Sequence, residues 1–315
     1  MNLIEMIKAA VYGIVEGVTE WLPVSSTGHL LLLDQFMKLD VSEAFWNTFL
    51  VVIQLGAILA VVVLYFRELN PFSPSKGAEG RRATWGLWGK IVVACIPAAV
   101  IGLPLDNWME EHLSSPFVIA AALIVYGVAF IVIENVRERK AIAIAEERAH
   151  AHAPRHMRTA GDGGELLDGQ TVAELADEDQ PIQSIAELDM KRAVGIGCFQ
   201  VLSLVPGTSR SGSTIIGGLL LGCTRKVAAE FTFYLAIPVM LGASGLRLVK
   251  FFLGGNAITA TEGWVLAIGC AVAFAVSIVV IKFLLDFIRR HDFKPFGWYR
   301  IALGVVVVAY FLLAR

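Results

Sequence analysis

The stretch that decides the fold runs Glu16-Gly-Val-Thr-Glu20-Trp-Leu-Pro-Val-Ser25-Ser-Thr-Gly-His29, within an otherwise apolar segment at residues 3–33. It sets two carboxylates, several hydroxyls and an imidazole in sequence that is suited to lipid. Each ionisable side chain at membrane depth costs about 2.5 kcal/mol or more on insertion scales, so such a cluster indicates a functional site. Pro23 also removes a backbone donor and clashes with the preceding turn. We therefore predict a broken helix with reactive groups at its break.

A second polar island, Pro206-Gly-Thr-Ser-Arg210-Ser-Gly-Ser-Thr214, interrupts the apolar stretch at residues 193–221. Each half of either broken stretch is too short to cross a bilayer. Non-helical backbone at membrane depth must be buried in protein or line a wet cavity. We therefore predict two re-entrant helical hairpins, at residues 1–37 and 191–222, whose tips share one cavity.

The composition around these islands is that of a polytopic membrane protein. The chain has 315 residues, of which 56% are hydrophobic and 17% charged, and its mean hydropathy is +0.66. A net charge of −2 gives no reason to expect a nucleic-acid partner. An all-α fold with six transmembrane helices is predicted, at residues 47–66, 87–103, 117–133, 227–248, 264–285 and 298–313.

The order of these elements repeats, with a hairpin followed by three crossings in each half. Because three is an odd number, the second half must enter from the opposite face, which gives an inverted-topology repeat. The first repeat is assigned to residues 1–136 and the second to residues 191–315. Between them, residues 137–190 are rich in Ala, Glu, Asp and Gly, and they predict a cytoplasmic acidic insertion that is partly disordered.

Basic residues near the predicted span ends give the orientation. Arg and Lys are concentrated in the loops around residues 67–82, 137–140 and 289–294, which places those loops in the cytoplasm. The loop at 104–116 has carboxylates but neither Lys nor Arg, as expected of the outer face, whereas Arg247 and Lys250 depart from the rule. The first hairpin is then predicted to enter from the outer face.

Glu16 and Glu20 are four residues apart, so a helix stacks them on one face. Such a pair suits general acid–base chemistry or a divalent cation that bridges the two carboxylates. The alternative is a structural pair that satisfies backbone groups at the broken helix.

The sequence after Pro23 is typical of a helix start, with serine capping and free amides that can bind an anion. If the helix begins there, Ser26 and His29 share one side. A hydroxyl beside an imidazole is the minimal arrangement for nucleophilic catalysis, with the imidazole as base or as the attacking group. The alternative is a packing histidine.

The second island supplies phosphate-binding chemistry. Arg210 suits bidentate recognition of an anion, and Gly207 and Gly212 allow close approach of the backbone. The hydroxyl donors are Ser209, Ser211, Ser213 and Thr214. The expected ligand is a phosphate or diphosphate, although Arg210 could instead neutralise the glutamates.

Both islands resemble the motifs of a known family, the integral-membrane undecaprenyl-diphosphate phosphatases, also called bacitracin-resistance proteins. Residues 16–29 are similar to its glutamate-rich motif with the serine and histidine extension, and residues 206–212 to its arginine motif. Further similarity at 52–62 and 233–240 extends the match over nearly the whole chain. The resemblance implies hydrolysis of undecaprenyl diphosphate to the monophosphate carrier lipid, recycling for cell-wall synthesis, and bacitracin resistance.

Carried over by position, the resemblance also implies the site. The catalytic set is Glu16, Glu20, Ser26, His29 and Arg210. The substrate-binding set is Ser25, Thr27, Gly207, Thr208, Ser209 and Ser211. A divalent cation, Mg²⁺ or Ca²⁺, is expected at the two glutamates, and the implied partners are a long-chain prenyl diphosphate and membrane lipids. The implied location is the bacterial cytoplasmic membrane, with the site open to the outer face.

A transporter or lipid flippase is the rival function, because inverted repeats with broken helices are also a transporter pattern. The hydroxyl, imidazole and paired carboxylates favour an enzyme, since binding an anion requires less chemistry. The attacking group is left open among Ser26, His29 and water. The oligomeric state is open as well, with a homodimer as one alternative.

Overall fold

A computed structural model of the chain describes residues 3–152 and 171–313, and within these ranges the regular structure is helical. One short 3₁₀ turn, Leu202–Leu204, follows the helix that ends at Val201. The α-helices in chain order are α1 Leu3–Thr19, α2 Ser26–Phe36, α3 Glu43–Val52, α4 Gln54–Leu64, α5 Phe66–Leu69, α6 Ala78–Leu113, α7 Pro116–His152, α8 Val172–Glu178, α9 Met190–Val201, α10 Arg210–Leu220, α11 Arg225–Leu253, α12 Ala260–Arg290 and α13 Lys294–Leu313.

Six helical segments in the described part of the chain are long and apolar enough to cross a membrane, which confirms the predicted number. The first is formed by α3 and α4 together, and the others lie in α6, α7, α11, α12 and α13. The helices extend beyond the predicted spans; α7, for example, continues from the predicted end at Ile133 to His152. Charged residues end an apolar run in the sequence, but they do not end a helix that leaves the bilayer.

The two predicted breaks are present, at residues 20–25 and 202–209. In each break the residue before the second helix is a serine with positive φ, +71° at Ser25 and +70° at Ser209. A non-glycine residue in this region costs about 1–3 kcal/mol and persists where the surrounding structure holds it. The first break contacts the helix that follows the second break, because Ser211 Oγ in α10 donates to the Glu20 carbonyl oxygen at 3.0 Å.

The packing of the helices is reciprocal between the two halves of the chain. The helix before the first break, α1, packs on α12, and the helix before the second break, α9, packs on α6, while α7 packs on α13. A Cβ atom at Gly13 would lie 2.6 Å from the Gly269 carbonyl oxygen, and one at Gly297 would lie 2.7 Å from that of Gly127. These glycines therefore allow α1 to approach α12 and α7 to approach α13 closely.

The described part of the predicted insertion is folded against the helices. α7 is continuous through residue 137, the predicted boundary between the first repeat and the insertion. α8 packs against both α7 and α12. Partial disorder was predicted for the insertion at 137–190, of which residues 153–170 lie outside the described residues.

Buried charges fix α8 in place. Asp177 of α8 accepts from Arg137 Nη2 at 2.6 Å and from the backbone amide of Arg225 at 3.1 Å. Arg225 is fully buried and donates to both carboxylate oxygens of Glu134, at 2.9 and 2.6 Å. Ion pairs of this kind depend on each partner, since removing one leaves a buried charge.

Candidate active site

Glu20 lies at the centre of the site, because its carboxylate joins the two breaks. Ser26 Oγ donates to Glu20 Oε2 at 3.1 Å, and Arg210 Nη2 donates to Glu20 Oε1 at 3.1 Å. Arg210 also donates to the Thr232 carbonyl oxygen at 2.9 Å, and its guanidinium lies 6.0 Å from the centre of the Trp21 ring. A hydroxyl, a carboxylate and a guanidinium from distant parts of the sequence thus form one chain of contacts.

Glu16 lies one helical turn before Glu20 and is fully buried. Both of its carboxylate oxygens lack a hydrogen-bond partner among the described residues. A buried carboxylate without partners requires a proton or a cation. No group of three or more His, Cys, Asp or Glu side chains that could hold a metal ion is found in the described part of the chain. Either a proton or a cation satisfies Glu16, and a cation there would take its other ligands from substrate phosphate and water, as Mg²⁺ commonly does.

The start of α2 offers hydrogen-bonding groups that the protein itself does not use. Ser25 Oγ is buried without a partner, and it makes no capping bond to the first turn of α2. The first amides of a helix are unsatisfied by the helix itself and attract anions. Thr27 is exposed on this turn, while Ser26 is half-buried. The predicted substrate-binding residues Ser25 and Thr27 are thus brought together with Ser26.

His29 forms its hydrogen bonds with groups other than the Ser26 hydroxyl. Its Nδ1 atom lies 2.7 Å from the Ser25 carbonyl oxygen, and its Nε2 atom lies 2.7 Å from the Tyr299 hydroxyl. Since a carbonyl oxygen only accepts, Nδ1 carries a proton. In the neutral imidazole, Nε2 then accepts from the Tyr299 hydroxyl. Ser26 and His29 lie three residues apart in α2, but the Ser26 hydroxyl contacts Glu20, whereas the imidazole contacts the Ser25 carbonyl oxygen and Tyr299. Glu20 is the group placed to accept the Ser26 proton.

Most polar groups at the second break form hydrogen bonds within the protein. Thr208 Oγ1 donates to the Val205 carbonyl oxygen at 2.8 Å, and Ser211 Oγ donates to that of Glu20 at 3.0 Å. Ser209 Oγ accepts from the Gly212 amide at 3.2 Å and so caps α10. Gly207 has φ +93°, and a Cβ atom there would lie 2.6 Å from the Ile119 carbonyl oxygen. The loop therefore holds Arg210 in position more than it offers hydroxyl groups to a ligand.

Two residues that the sequence reasoning missed contact the site from α13. The Tyr299 hydroxyl forms a hydrogen bond with His29, and the fully buried Arg300 donates to the Pro23, Gly207 and Thr208 carbonyl oxygens. Both lie within the predicted span 298–313. An ionisable residue inside an apolar span was the available signal for Arg300. Tyr299 carried no such signal, because tyrosine is common where helices meet the interface.

A cavity of about 620 Å³ opens at the start of α2. Ser26 and Thr27 line it from the first break, and Ser203 and Pro206 line it from the second. A neighbouring cavity of about 480 Å³ shares Ser203 and continues between α6, α9 and α11. Its lining is largely apolar, with Ala98, Ala99, Leu103, Pro238, Val239 and Leu246 among its residues. The pair of cavities suits a ligand with a polar head and an apolar chain.

Comparison with known proteins agrees with this chemistry. The model of the family "Bacitracin resistance protein BacA" matches residues 9–306. An undecaprenyl-diphosphatase of Limosilactobacillus fermentum is 50% identical over 311 residues, which is 99% of each chain. One of Streptococcus suis is 48% identical over 308 residues, 98% of this chain and 97% of the relative. One of Lactiplantibacillus plantarum is 49% identical over 311 residues, 99% of each chain. The chain therefore belongs to the bacitracin resistance protein BacA family.

Proposed function

We propose that this chain is a membrane-embedded undecaprenyl-diphosphatase, which hydrolyses undecaprenyl diphosphate to undecaprenyl phosphate and inorganic phosphate. This activity recycles the carrier lipid for cell-wall synthesis and gives bacitracin resistance, as the family's name indicates. The observation that carries the proposal is the Glu20 carboxylate, which accepts from both Ser26 and Arg210 beside a cavity. Relatives of about this length that are named for this activity support the choice of substrate.

The proposed fold is an inverted-topology repeat with two re-entrant hairpins, α1–α2 and α9–α10. The reciprocal packing of α1 on α12 and of α9 on α6 supports it, because a two-fold relation between the halves exchanges these pairs. The serines with positive φ at matching points of the two breaks support it as well. In the described residues, no hairpin arm is among the helices that are long and apolar enough to cross a membrane, and the longest arm has 17 residues.

In the proposed mechanism, Ser26 Oγ attacks the terminal phosphorus while Glu20 accepts its proton. The Oγ–P bond forms as the bond to the bridging oxygen breaks, and Glu20 returns the proton to the departing undecaprenyl phosphate. Water then attacks the phosphoserine phosphorus while Glu20 accepts its proton. The P–Oγ bond breaks, inorganic phosphate leaves, and Glu20 returns the proton to Ser26 Oγ. Arg210 and the first amides of α2 stabilise charge on the phosphoryl oxygens, which is the main contribution in phosphoryl transfer.

His29 acts in this proposal by orientation. Its bond to the Ser25 carbonyl oxygen holds the residue that precedes the nucleophile, and Tyr299 holds the ring from the other side. The reactive nitrogen Nε2 is engaged with Tyr299, so attack by His29 is not favoured over attack by Ser26. Groups that orient a catalytic residue contribute through proximity and alignment.

A divalent cation, Mg²⁺ or Ca²⁺, is proposed to bind at Glu16 together with oxygens of the substrate phosphate. When bound, it would neutralise phosphate charge and polarise the phosphoryl group. Glu20 is partly occupied by Arg210 and Ser26, so Glu16 is the principal protein ligand in this proposal.

The proposed location is the bacterial cytoplasmic membrane, with the cavity open to the outer face. Basic residues of α7 and α12 gather at the end where α8 contacts both helices, namely Arg137, Arg139, Lys140, Arg148, Arg289 and Arg290. The cavity is lined by Met109 and Ser114, which lie beside the start of α7 at its opposite end. The positive-inside rule then supports the outer face for the cavity.

The test is phosphate release from undecaprenyl diphosphate by the detergent-purified protein, with Mg²⁺, Ca²⁺ or a chelator. We expect metal-supported release by the wild type and its loss in Arg210→Ala, while Arg225→Lys, which keeps a distant buried cation, retains it. Light scattering of the same sample tests whether the protein is a homodimer. Absence of release across prenyl chain lengths, from protein shown to be folded, would overturn the proposal and favour the transporter.

A further inference from the structure

Arg300 connects the two breaks of the chain. It is fully buried in α13, and its Nη1 atom donates to the Pro23 carbonyl oxygen at 3.1 Å. Its Nη2 atom donates to the carbonyl oxygens of Gly207 and Thr208, both at 2.9 Å. One guanidinium thus binds the first break through one nitrogen and the second break through the other.

The points of attachment are close to the strained residues. Pro23 lies two residues before Ser25, and Thr208 directly precedes Ser209, the other serine with positive φ. Backbone conformations of this kind persist only where neighbouring groups hold them. Arg300 therefore fixes both loops immediately before Ser26 and Arg210.

The environment of Arg300 differs from that of Arg225, which is also fully buried. Arg225 donates to both oxygens of Glu134 and is neutralised by it. Arg300 forms no ion pair with a carboxylate among the described residues; its partners are carbonyl oxygens, and its guanidinium lies 5.3 Å from the centre of the Tyr126 ring. Retaining a buried cation on neutral partners is costly, so a purely structural link between two loops is a poor explanation of it.

We propose that Arg300 is a positioning residue for the reaction, which holds the two breaks in the register that brings Ser26, Glu20 and Arg210 together. The inference rests on the proposed phosphatase function. Because Arg300 does not contact the cavity in which the substrate would bind, its loss is expected to affect the rate of the bound complex rather than binding. A misplacement of about 1 Å can lower a rate about 100-fold.

The experiment compares Arg300→Met and Arg300→Lys with Arg225→Met, measuring kcat, KM and the thermal midpoint of each. Arg300→Met is expected to lower kcat about 100-fold with KM within about threefold of wild type. Arg300→Lys, which keeps a donor and the charge but reaches only one break, is expected to recover part of this loss. Arg225→Met is expected to lower the thermal midpoint while the folded enzyme keeps its kcat.

The outcomes separate this inference from the proposed function. A folded wild type that releases no phosphate contradicts the function itself. A wild type that is active, with Arg300→Met and Arg300→Lys near its kcat, overturns the positioning role. The same holds if kcat falls in Arg300→Met and Arg225→Met in proportion to their thermal midpoints. If Arg300→Met does not fold, a normal kcat in folded Arg300→Lys is sufficient to overturn it.

Discussion

The two breaks share a backbone design but differ in what their polar groups do. Both end in a serine with φ near +70°, Ser25 in the first and Ser209 in the second. In the second break Ser209 caps its helix, and the neighbouring hydroxyls of Thr208 and Ser211 donate to carbonyl oxygens. In the first break Ser25 Oγ has no partner in the described residues, and Thr27 is exposed. The first break is thus left with groups for a ligand, whereas the second is a support that presents Arg210.

The difference shows how one local fold can serve two roles. Each of the two helices begins with amides that the helix itself does not satisfy. Where a side chain caps those amides, the loop gains stability. Where none does, the amides remain available to an anion. The carboxylate of Glu20 connects the two roles, because it accepts from Ser26 of the first break and from Arg210 of the second.

The largest effect is expected from Ser26→Ala. Removal of the nucleophile in the first break should lower kcat about 10³-fold or more, as loss of a covalent nucleophile does in other hydrolases. Ser203→Ala is the matched control, since Ser203 lines the same cavity but donates to the Gln200 carbonyl oxygen. Phosphate release is the measurement. Substantial turnover by Ser26→Ala would contradict the assignment of Ser26 as the nucleophile.

Glu20→Gln should lower kcat about 10²-fold to 10⁴-fold at saturating metal, because the amide keeps the shape of the side chain but cannot act as a base. Glu16→Gln is the control on the same helix face. It should raise the Mg²⁺ concentration needed for half-maximal activity and keep a larger share of kcat. Steady-state rates over a Mg²⁺ titration distinguish the two, and an unchanged metal requirement in Glu16→Gln would argue against a cation at this residue.

Ser25→Ala and Ser209→Ala test the comparison directly. Ser209→Ala removes a helix cap and should cost about 1 kcal/mol of folding stability, with little change in KM. Ser25→Ala removes no bond within the protein, so stability should be retained. If its hydroxyl binds a charged phosphate, KM should rise about tenfold or more. Thermal unfolding and substrate titration of both variants check this, and equal effects on the two properties would contradict the assigned roles.

The smallest effect is expected from Tyr299→Phe. It removes one hydrogen bond to His29 and leaves the bond from His29 to the Ser25 carbonyl oxygen. A net loss of about 0.5–1 kcal/mol corresponds to a two- to fivefold lower kcat. Tyr126→Phe, which removes the hydroxyl that Ser213 contacts beside the second break, is the control. A loss above 100-fold in Tyr299→Phe would indicate that Tyr299 or His29 takes part in the chemistry directly.

Much of this arrangement could be predicted from the sequence, because its causes are local. Pro23 and Pro206 mark the two breaks, and the apolar runs give the six crossing helices. Contacts between distant residues could not be predicted in the same way. Arg300 meets Pro23 across 277 positions, and no periodicity reveals that pairing. The partner of His29 is the backbone carbonyl oxygen of Ser25, and residue spacing does not determine which group an imidazole will contact.

Hydroxyl groups of the second break were predicted to bind substrate, and the sequence could not show how many of them are used within the protein. In the sequence, a hydroxyl in a polar island predicts a group that binds a ligand. A buried loop, however, must also provide hydrogen-bond partners for its own carbonyl oxygens. Thr208 and Ser211 do so in the structure. The number of hydroxyls in a motif is therefore a weak guide to the number that meet the ligand.

The most direct measurement is rapid acid quenching of the enzyme during turnover of undecaprenyl diphosphate labelled in its terminal phosphate, followed by peptide mass spectrometry. Phosphoserine is stable to acid whereas phosphohistidine is not, so a parallel quench in alkali is needed. The proposed mechanism predicts an acid-stable label on Ser26 that forms and decays at the rate of turnover, and that is absent from Ser26→Ala. An acid-labile label on His29, or full turnover by Ser26→Ala without any labelled enzyme, would contradict it.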